Sequence, residues 1–384
     1  MTKHFSKNLC KKFFDELSEV TPDVADNDSV KRFSFFDDPI KTLDNLSVIS
    51  SRLALKTPIS ISCDLCRDVS PYVLLDALIR GADTTTHIDI PSEKLQKVIS
   101  TLNLEHLSKP SRTGDHSNIW PIPVIYGRAW KRDYSSKDIK KEIRSAVDSY
   151  TTSLDSWLQE HDVCMTSTFL GDMENQLYEL LDNADHAYNP LADNTGGDWA
   201  ISGFMTRRDE QYVCHISVIT LGYTIYETLS GQLKPINPMV SEYLEKYIQH
   251  ERSCKKLSKE ALVTAAATHS IVTNSQNGGG TGLTDFLYTF ADAAAEPESE
   301  RHSVVISGNG HVRFQDEYFL LNESLNSERR QAFNKHDSIS FPPDSEYVYH
   351  ASHKVAGTIV GVRFFISSQD LQAKCEDDHE KTTT

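Results

Sequence analysis

The sequence predicts an α/β protein with a small N-terminal unit and a larger C-terminal unit. Residues 59–107 alternate short strand patterns with helix patterns, which is typical of a small α/β unit. Residues 171–188 place leucines at helical spacing, and residues 356–364 have the apolar character of a strand. With 384 residues, the chain is too long for one ordinary domain and comfortable for two.

The composition is that of an acidic globular protein. Hydrophobic residues make up 39% and charged residues 24%, and no apolar run reaches the roughly 18 residues that a transmembrane helix needs. Residues Met1 to Glu16 lack the apolar core of a signal peptide, so no membrane association and a cytoplasmic location are expected. The net charge of -16 disfavours direct binding to the phosphates of a nucleic acid.

Seven cysteines at irregular spacing indicate reduced thiols rather than a disulfide framework. Cys63 and Cys66 form a C-x-x-C pair, but no second close pair supplies the further ligands of a structural zinc site. Because both lie in a stretch of alternating apolar residues, they are predicted to be buried structural cysteines.

The N-terminal third is predicted to contain two parts. Residues 1–50 are mixed and polar, with one amphipathic helix pattern over Lys7–Val20. Residues 51–135 form the α/β unit, in which Pro71 starts a helix and Gly81 ends it. The predicted elements of this unit are strand Ile59–Cys63, helix Tyr72–Gly81, strand His87–Pro91, helix Glu93–Leu107 capped by Ser92, and strand Trp120–Trp130.

This unit resembles the STAS-like modules of some bacterial ATP-binding proteins. The matching pieces are Ile59–Asp64, the helix from Pro71 and His87–Leu107. The resemblance implies a module that acts by protein–protein contact or as a regulatory sensor. The alternative is an α/β scaffold with no such role.

The sharpest chemical signal lies on the predicted helix of residues 171–188. Leu177, Leu180 and Leu181 form its apolar stripe, and Glu179 and Asn183 stand four residues apart on one side. An amide oxygen suits Mg²⁺, which prefers hard oxygen ligands, and a carboxylate can accept a proton from an attacking water. The alternative is a solvent-facing pair on an ordinary helix.

A second signal is a glycine-rich segment ahead of a helix pattern over Thr284–Asp292. Glycines let backbone N–H groups approach phosphate closely, and a helix N-terminus adds partial positive charge. The segment consists of Gly278, Gly279, Gly280, Thr281, Gly282 and Leu283. A plain flexible loop is the alternative reading of these residues. The preceding polar stretch, 270–280, is expected to be a mobile lid after a helix over Leu257–His269.

Together these motifs resemble the GHKL ATPases, a family that includes type II topoisomerases, mismatch-repair ATPases, heat-shock chaperones and histidine kinases. Glu179-Leu-Leu-Asp182-Asn183-Ala184 resembles the N box, and Gly278–Leu283 resembles the second glycine box. Residues 303–310 read as a strand and turn, and 356–364 as a final strand in which Thr358 matches the threonine of the adenine region. The resemblance implies a Bergerat-type α/β sandwich over residues 136–370, with helices on one face of a mixed sheet.

The chain departs from this family at the first glycine box, D-x-G-x-G. After a predicted strand over Tyr212–Val218, Thr220 replaces the Asp, Gly222 is kept and Thr224 replaces the second glycine. The family's Asp accepts a hydrogen bond from the adenine amino group, and a threonine hydroxyl can accept in its place without charge. Losing a charge-assisted bond costs about 1.5–3 kcal/mol, so ATP binding is expected to be weak, to be replaced by binding of another nucleotide, or to be lost.

The resemblance implies an ATP-binding protein that hydrolyses ATP slowly with Mg²⁺ and acts as a conformational switch on an unidentified protein partner. Glu179 would be the general base and Asn183 the Mg²⁺ ligand. A homodimer is compatible with this reading. The alternatives are a non-catalytic GHKL scaffold or nucleotide sensor, and a protein-serine kinase of the anti-sigma type. His161-Asp162 resembles a phosphoacceptor pair but is expected to lie exposed at a helix end, and residues 371–384 are expected to form a disordered polar tail.

Overall fold

The fold is taken from a computed structural model of the chain. The residues that it describes are 4–18, 30–63, 66–84, 86–107, 118–128, 136–186, 198–208, 211–230, 237–269, 272, 283, 286–287, 302–314 and 332–373.

The described part of the chain alternates between helices and strands. The helices are α1 (Lys7–Ser18), α2 (Pro39–Ala54), α3 (Ser70–Ala82), α4 (Glu93–Thr101), α5 (Ser136–Gln159), α6 (Ser167–His186), α7 (Ile225–Leu229), α8 (Pro238–Ile248) and α9 (Lys259–Ala266). The strands are β1 (Ile59–Ser60), β2 (Ile88–Asp89), β3 (Ile119–Arg128), β4 (Val163–Met165), β5 (Asp198–Arg208), β6 (Gln211–Leu221), β7 (His302–Phe314), β8 (Val348–Ile366) and β9 (Leu371–Ala373).

Five strands form the central sheet in the order β3-β5-β6-β8-β7. Every pairing between neighbours in this sheet is antiparallel, so the expected mixed sheet is wrong for these strands. Only two residues separate β5 from β6, a spacing that brings the second strand back beside the first in the opposite direction. Strand patterns in the sequence carry no information about direction, which the connections decide.

Helices cover both faces of this sheet, whereas the sequence predicted helices on one face. On one face, α5, α6, α8 and α9 contribute to a large apolar core that includes Val218 and Val360 of the sheet. On the other face, α1 to α4 contribute to a second core that includes Ile219 and Ile359. Because the central strands are apolar on both sides, they are buried on both faces, and the N-terminal helices supply the second cover.

The N-terminal elements, residues 4–107, are called the N-terminal layer below. Its β1 and β2 pair in parallel through Ile59 and Ile88, and α3 lies between them in the chain, so the predicted strand–helix–strand–helix order is confirmed. Ser92 Oγ accepts from Leu95 N at 3.3 Å, which confirms the predicted cap, although α4 ends at Thr101. Helix α2 was not predicted, yet Asp38 caps it and Pro39 occupies its first turn.

A buried polar cluster joins the N-terminal layer to the sheet. Asp68 Oδ1 lies 3.6 Å from His215 Nε2, and Ser70 Oγ lies 2.6 Å from Ser217 Oγ. Burial raises the pKa of Asp68 to about 6, against hydrogen bonds from the Ser70 and Phe35 backbone that lower it. Burial, followed by the charge of Arg363, lowers the pKa of His215 to about 3. Both groups therefore lie at the contact between the two parts of the fold in an environment that disfavours charge.

Cys63 and Cys66 are buried, which confirms the prediction for this pair. Their Sγ atoms lie 3.5 Å from the carbonyl oxygens of Val30 and Asp68. Burial raises the pKa of the Cys66 thiol far above its ordinary value. Among the described residues, no group of three or more His, Cys, Asp or Glu side chains is arranged to hold a metal ion.

Three further expectations meet the structure. The predicted turn near Gly308 is wrong, because β7 continues through an irregularity there to Phe314. Residues 371–373 of the predicted disordered tail form β9, which pairs with β4. No helix in the described ranges is long and apolar enough to cross a membrane.

Candidate functional site

The helix that carries the predicted N box is α6. Leu177, Leu180 and Leu181 are buried in the large core, so the predicted apolar stripe is confirmed. Glu179 is exposed and Asn183 is half-buried. Both polar side chains are therefore on the accessible part of the helix, where they can meet a ligand or only water.

Thr220 and Thr358 lie directly opposite one another on β6 and β8. Thr220 Oγ1 accepts a hydrogen bond from Thr358 N at 3.2 Å and donates one to Thr358 O at 3.3 Å. Both residues are half-buried; Thr220 is next to the last residue of β6, whereas Thr358 lies in the middle of β8. The structure thus brings together two residues that lie far apart in the chain and that the sequence assigned to the same nucleotide region.

A third hydroxyl, which the sequence did not indicate, completes this group. Ser307 Oγ of β7 lies 2.8 Å from Thr358 Oγ1 and accepts from Ile225 N of α7 at 2.7 Å. Ser307 is fully buried. We call Thr220, Thr358 and Ser307 the hydroxyl cluster. No local pattern marks Ser307, since its role follows only from the neighbouring strand.

Thr224, at a position where the resemblance to GHKL ATPases led us to expect a glycine, has a clear local role. Its Oγ1 accepts from Glu227 N at 3.1 Å, and Glu227 Oε2 accepts from Thr224 N at 2.7 Å. This reciprocal pair is a capping box that begins α7. A threonine at position 224 therefore starts a helix beside the hydroxyl cluster.

Two glycines allow β6 and the turn after it to lie close to β8 near Thr220 and Thr358. Gly222 N donates to Ala356 O at 2.9 Å, which ties the turn after β6 to β8. Gly357 has φ 148°, and a Cβ at this position would overlap the carbonyl group of Thr220. Only glycine allows the strands to come this close immediately before Thr358.

A cluster of charged side chains lies beside the hydroxyl cluster, at the start of α9. Glu260 Oε2 accepts from Asn309 N at 2.7 Å, and Glu260 Oε1 lies 3.5 Å from Lys354 Nζ. Lys354 also lies 3.8 Å from Glu227 Oε1. Gly308 has φ 60°, and a Cβ there would overlap the Glu260 carboxylate. This cluster holds the irregular part of β7 against α9.

The second glycine box is only partly described. Gly278, Gly279, Gly280, Thr281 and Gly282 lie outside the described residues, as does nearly all of the predicted lid. Leu283 is half-buried against the large core. The part of the site predicted to hold phosphate therefore has no described geometry.

His161 differs from the exposed helix-end residue that was expected. It is half-buried, and its ring packs edge-on against Trp157 with the centroids 4.8 Å apart. Its Nδ1 lies 3.1 Å from Arg207 Nη1, so Nδ1 accepts from the guanidinium. These contacts give His161 a packing role at the end of the β5–β6 pair.

Comparison of this chain with protein-family models, curated proteins and solved structures finds no match. The likeness to GHKL ATPases and STAS-like modules consequently rests on the residues named above.

Proposed function

We propose that this chain binds ATP with Mg²⁺ beside Thr220 and Thr358, where β6 ends, and that slow hydrolysis drives a conformational switch acting on a protein partner. The carrying observation is the pairing of Thr220 with Thr358 on the sheet face that α6 covers. Asn183 would hold Mg²⁺ and Glu179 would take the proton of an attacking water. The bound metal ion would supply charge neutralisation at the phosphates.

The position of α6 supports this assignment. Thr220 follows Val218 by two residues, and Val218 packs in the same core as Leu177 and Leu181 of α6. Alternation along a strand places Thr220 on this same face.

The lengths of the elements also agree. Phe169, near the start of α6, contacts Phe364 with ring centroids 6.4 Å apart, and Phe364 pairs with Cys214. From Phe169 to Asn183 the helix rises about 21 Å, and from Cys214 to Thr220 the strand rises about 20 Å. A helix that follows the strand brings Asn183 level with Thr220.

The hydroxyl of Thr220 retains the capacity that adenine recognition needs. A hydroxyl has one donor and two acceptor positions. Its donor is used by Thr358 O and one acceptor position by Thr358 N. One acceptor position is left, which can receive a hydrogen bond from an exocyclic amino group.

The N-terminal layer is placed to respond to events at this site. Ile219 and Leu221, which flank Thr220, pack in the core shared with α1 and α2. Lys12 Nζ of α1 also lies 5.9 Å from the ring centroid of Tyr223. A shift in the strand ends would therefore be transmitted to the N-terminal layer, which supports the idea of a switch that reports to another protein.

The proposal is tested by calorimetry of Mg²⁺-ATP binding to the wild-type protein and to Asn183→Ala. Saturable binding that is abolished by this substitution is the expected result. Asn175→Ala, an exposed asparagine on the same helix, is the matched control and should bind as the wild type does. No binding to the wild type would overturn the proposal.

Hydrolysis is then measured on Glu179→Gln, with Asp172→Asn on the same helix as the control. Release of phosphate should fall in the first variant and persist in the second. Label transferred from ATP to a serine of a partner protein, without free phosphate, would instead identify a serine kinase of the anti-sigma type.

A second candidate function is a non-catalytic scaffold or a sensor of another nucleotide. It is favoured by the hydroxyl cluster itself, because Thr220, Thr358 and Ser307 already satisfy most of their hydrogen bonds with one another. It predicts a folded protein that binds a partner protein equally well with and without ATP.

A further inference from the structure

A cleft of about 440 Å³ lies between the N-terminal layer and the sheet, away from the hydroxyl cluster. One wall is the start of α2, with Asp37, Asp38 and Ile40. The opposite wall is the end of β7 and the start of β8. Its volume is within the range of about 300–1,000 Å³ typical of small-molecule sites. Along β8, Tyr349 is about 30 Å from Thr358 at about 3.3 Å per residue, so the two regions are separate.

Arg313 provides a half-buried positive charge in this cleft. Its guanidinium donates to Phe36 O at 3.5 Å, and its positive charge opposes the rise that burial causes in the pKa of Tyr349 in the same cleft. Within the described ranges, no carboxylate lies within 4.0 Å of it. A guanidinium has five N–H donors, so donors remain for a further acceptor.

Lys256 provides a second positive charge on the same side. Its side chain is exposed and likewise forms no ion pair with a described carboxylate. Its carbonyl oxygen accepts from His350 N at 3.1 Å and from His350 Nδ1 at 2.8 Å. These two bonds hold the backbone of Lys256 against β8, and both Lys256 and Arg313 line the cleft.

The wall at the start of α2 carries negative charge. Asp37 pairs with Arg67 at 3.3 Å, while Asp38 Oδ1 accepts from Lys41 N and caps α2. A further carboxylate, Glu346, is exposed just before β8, on the wall that carries Arg313. Burial raises the pKa of Tyr349, the charge of Arg313 opposes this rise and that of Asp38 adds to it, so the two opposite charges face one phenol.

We propose that this cleft binds a small zwitterion of the amino-acid type, with its carboxylate on Arg313 and Lys256 and its ammonium group toward Asp38 and Glu346. A simple anion fits less well, because carboxylates line the cleft as well as cations. A simple cation leaves the Arg313 donors without an acceptor. The ligand would connect the N-terminal layer to β7 and β8.

The test is ligand-observed NMR and calorimetry of the whole chain with the standard L-amino acids. Each one that binds is compared with the matched acid that lacks the amino group and the matched amine that lacks the carboxylate. At least one amino acid should bind at millimolar concentration or tighter, and both analogues should bind more weakly. Absence of binding by every amino acid, or equal binding by the matched acid, overturns the proposal.

Two substitutions assign the two walls. Arg313→Met removes the charge, and affinity should fall about tenfold or more, the range for a charge-assisted hydrogen bond. Asp38→Asn keeps a residue that caps helices equally well, and it should reduce the preference for the amino acid over the matched acid. Arg144→Met on the exposed side of α5 is the control and should bind normally. Unchanged affinity in a folded Arg313→Met would show that the ligand binds elsewhere.

Discussion

Thr220 Oγ1 and the backbone of Thr358 hydrogen-bond to each other in both directions, at 3.2 and 3.3 Å. The pair joins β6 to β8 at a point where the side chains face the helices of the large core. An aspartate at position 220 could accept the bond from Thr358 N but could not donate to Thr358 O. The threonine therefore gives this chain an added strand-to-strand hydrogen bond at the position where the proposed resemblance to GHKL ATPases would put an aspartate.

Restoring the charge should strengthen nucleotide binding. We expect Thr220→Asp to bind Mg²⁺-ATP about 10- to 100-fold more tightly than the wild type, because a charge-assisted bond adds about 1.5–3 kcal/mol. Calorimetry measures the change. Thr220→Asn has the same shape without the charge and should not show this gain. Equal affinities for all three proteins would count against adenine at this position.

The irregular part of β7 depends on a glycine. Gly308→Ala should lower the free energy of unfolding by about 1–3 kcal/mol, because φ there is 60° and the new Cβ meets the Glu260 carboxylate. The midpoint of denaturant unfolding, at unchanged m-value, reports the loss. Adding Glu260→Ala should restore part of it.

Gly171 is the matched control for this substitution. It lies in α6 with nothing within 4 Å of a built Cβ. Alanine there should stabilise the protein by about 0.5–1 kcal/mol, since it reduces the entropy of the unfolded chain. Destabilisation of similar size at both positions would mean that Gly308 has no special role.

His311 should make the protein less stable in acid. It is fully buried, neither ring nitrogen has a hydrogen-bond partner among the described residues, and burial, followed by the charge of His350, lowers its pKa to about 3. Between the ordinary pKa of about 6.5 and this value, the unfolded chain takes up a proton that the folded chain does not. In this range the free energy of unfolding falls by about 1.4 kcal/mol for each unit by which the pH is lowered.

The variant His311→Phe keeps a ring to stack on Tyr349, whose centroid is 5.3 Å away. Its free energy of unfolding is measured by denaturant between pH 7 and pH 4. As the pH is lowered it should fall less steeply than that of the wild type, by about 1.4 kcal/mol per pH unit, which corresponds to the uptake of one proton. His87→Gln, at an exposed position, is the control. Parallel curves for wild type and His311→Phe would contradict the prediction.

Asp68 should have the opposite effect. Burial raises its pKa to about 6 from the ordinary 3.8, so its contribution to stability is fully present below pH 3.8 and is lost as the pH rises through 6. Relative to the wild type, Asp68→Asn should therefore gain up to about 3 kcal/mol between pH 4 and pH 8. Asp89→Asn, at an exposed position of β2, is the matched control. A constant difference across this range would mean that Asp68 titrates alike in both states.

The local elements that could be predicted are those with strong internal signals. The apolar stripe of α6, the Ser92 cap and the alternation in β1 depend on neighbours a few residues apart, so they are readable in the sequence. Helix α2 was missed although it has a cap and a proline at its start. Strand β5 was missed because its residues Asp198–Phe204 are buried on both faces and do not alternate.

By itself, the sequence determined the α/β class, the order of β1, α3, β2 and α4, the burial of Cys63 and Cys66 and the side of α6 that is apolar. Only the tertiary structure decided that the sheet is antiparallel, that helices cover both of its faces and that Ser307 joins Thr220 and Thr358. The physical reason is the separation along the chain over which each interaction acts. Periodicity and capping act within a few residues, whereas strand direction, the second covering layer and the hydroxyl cluster depend on contacts between segments far apart in the chain.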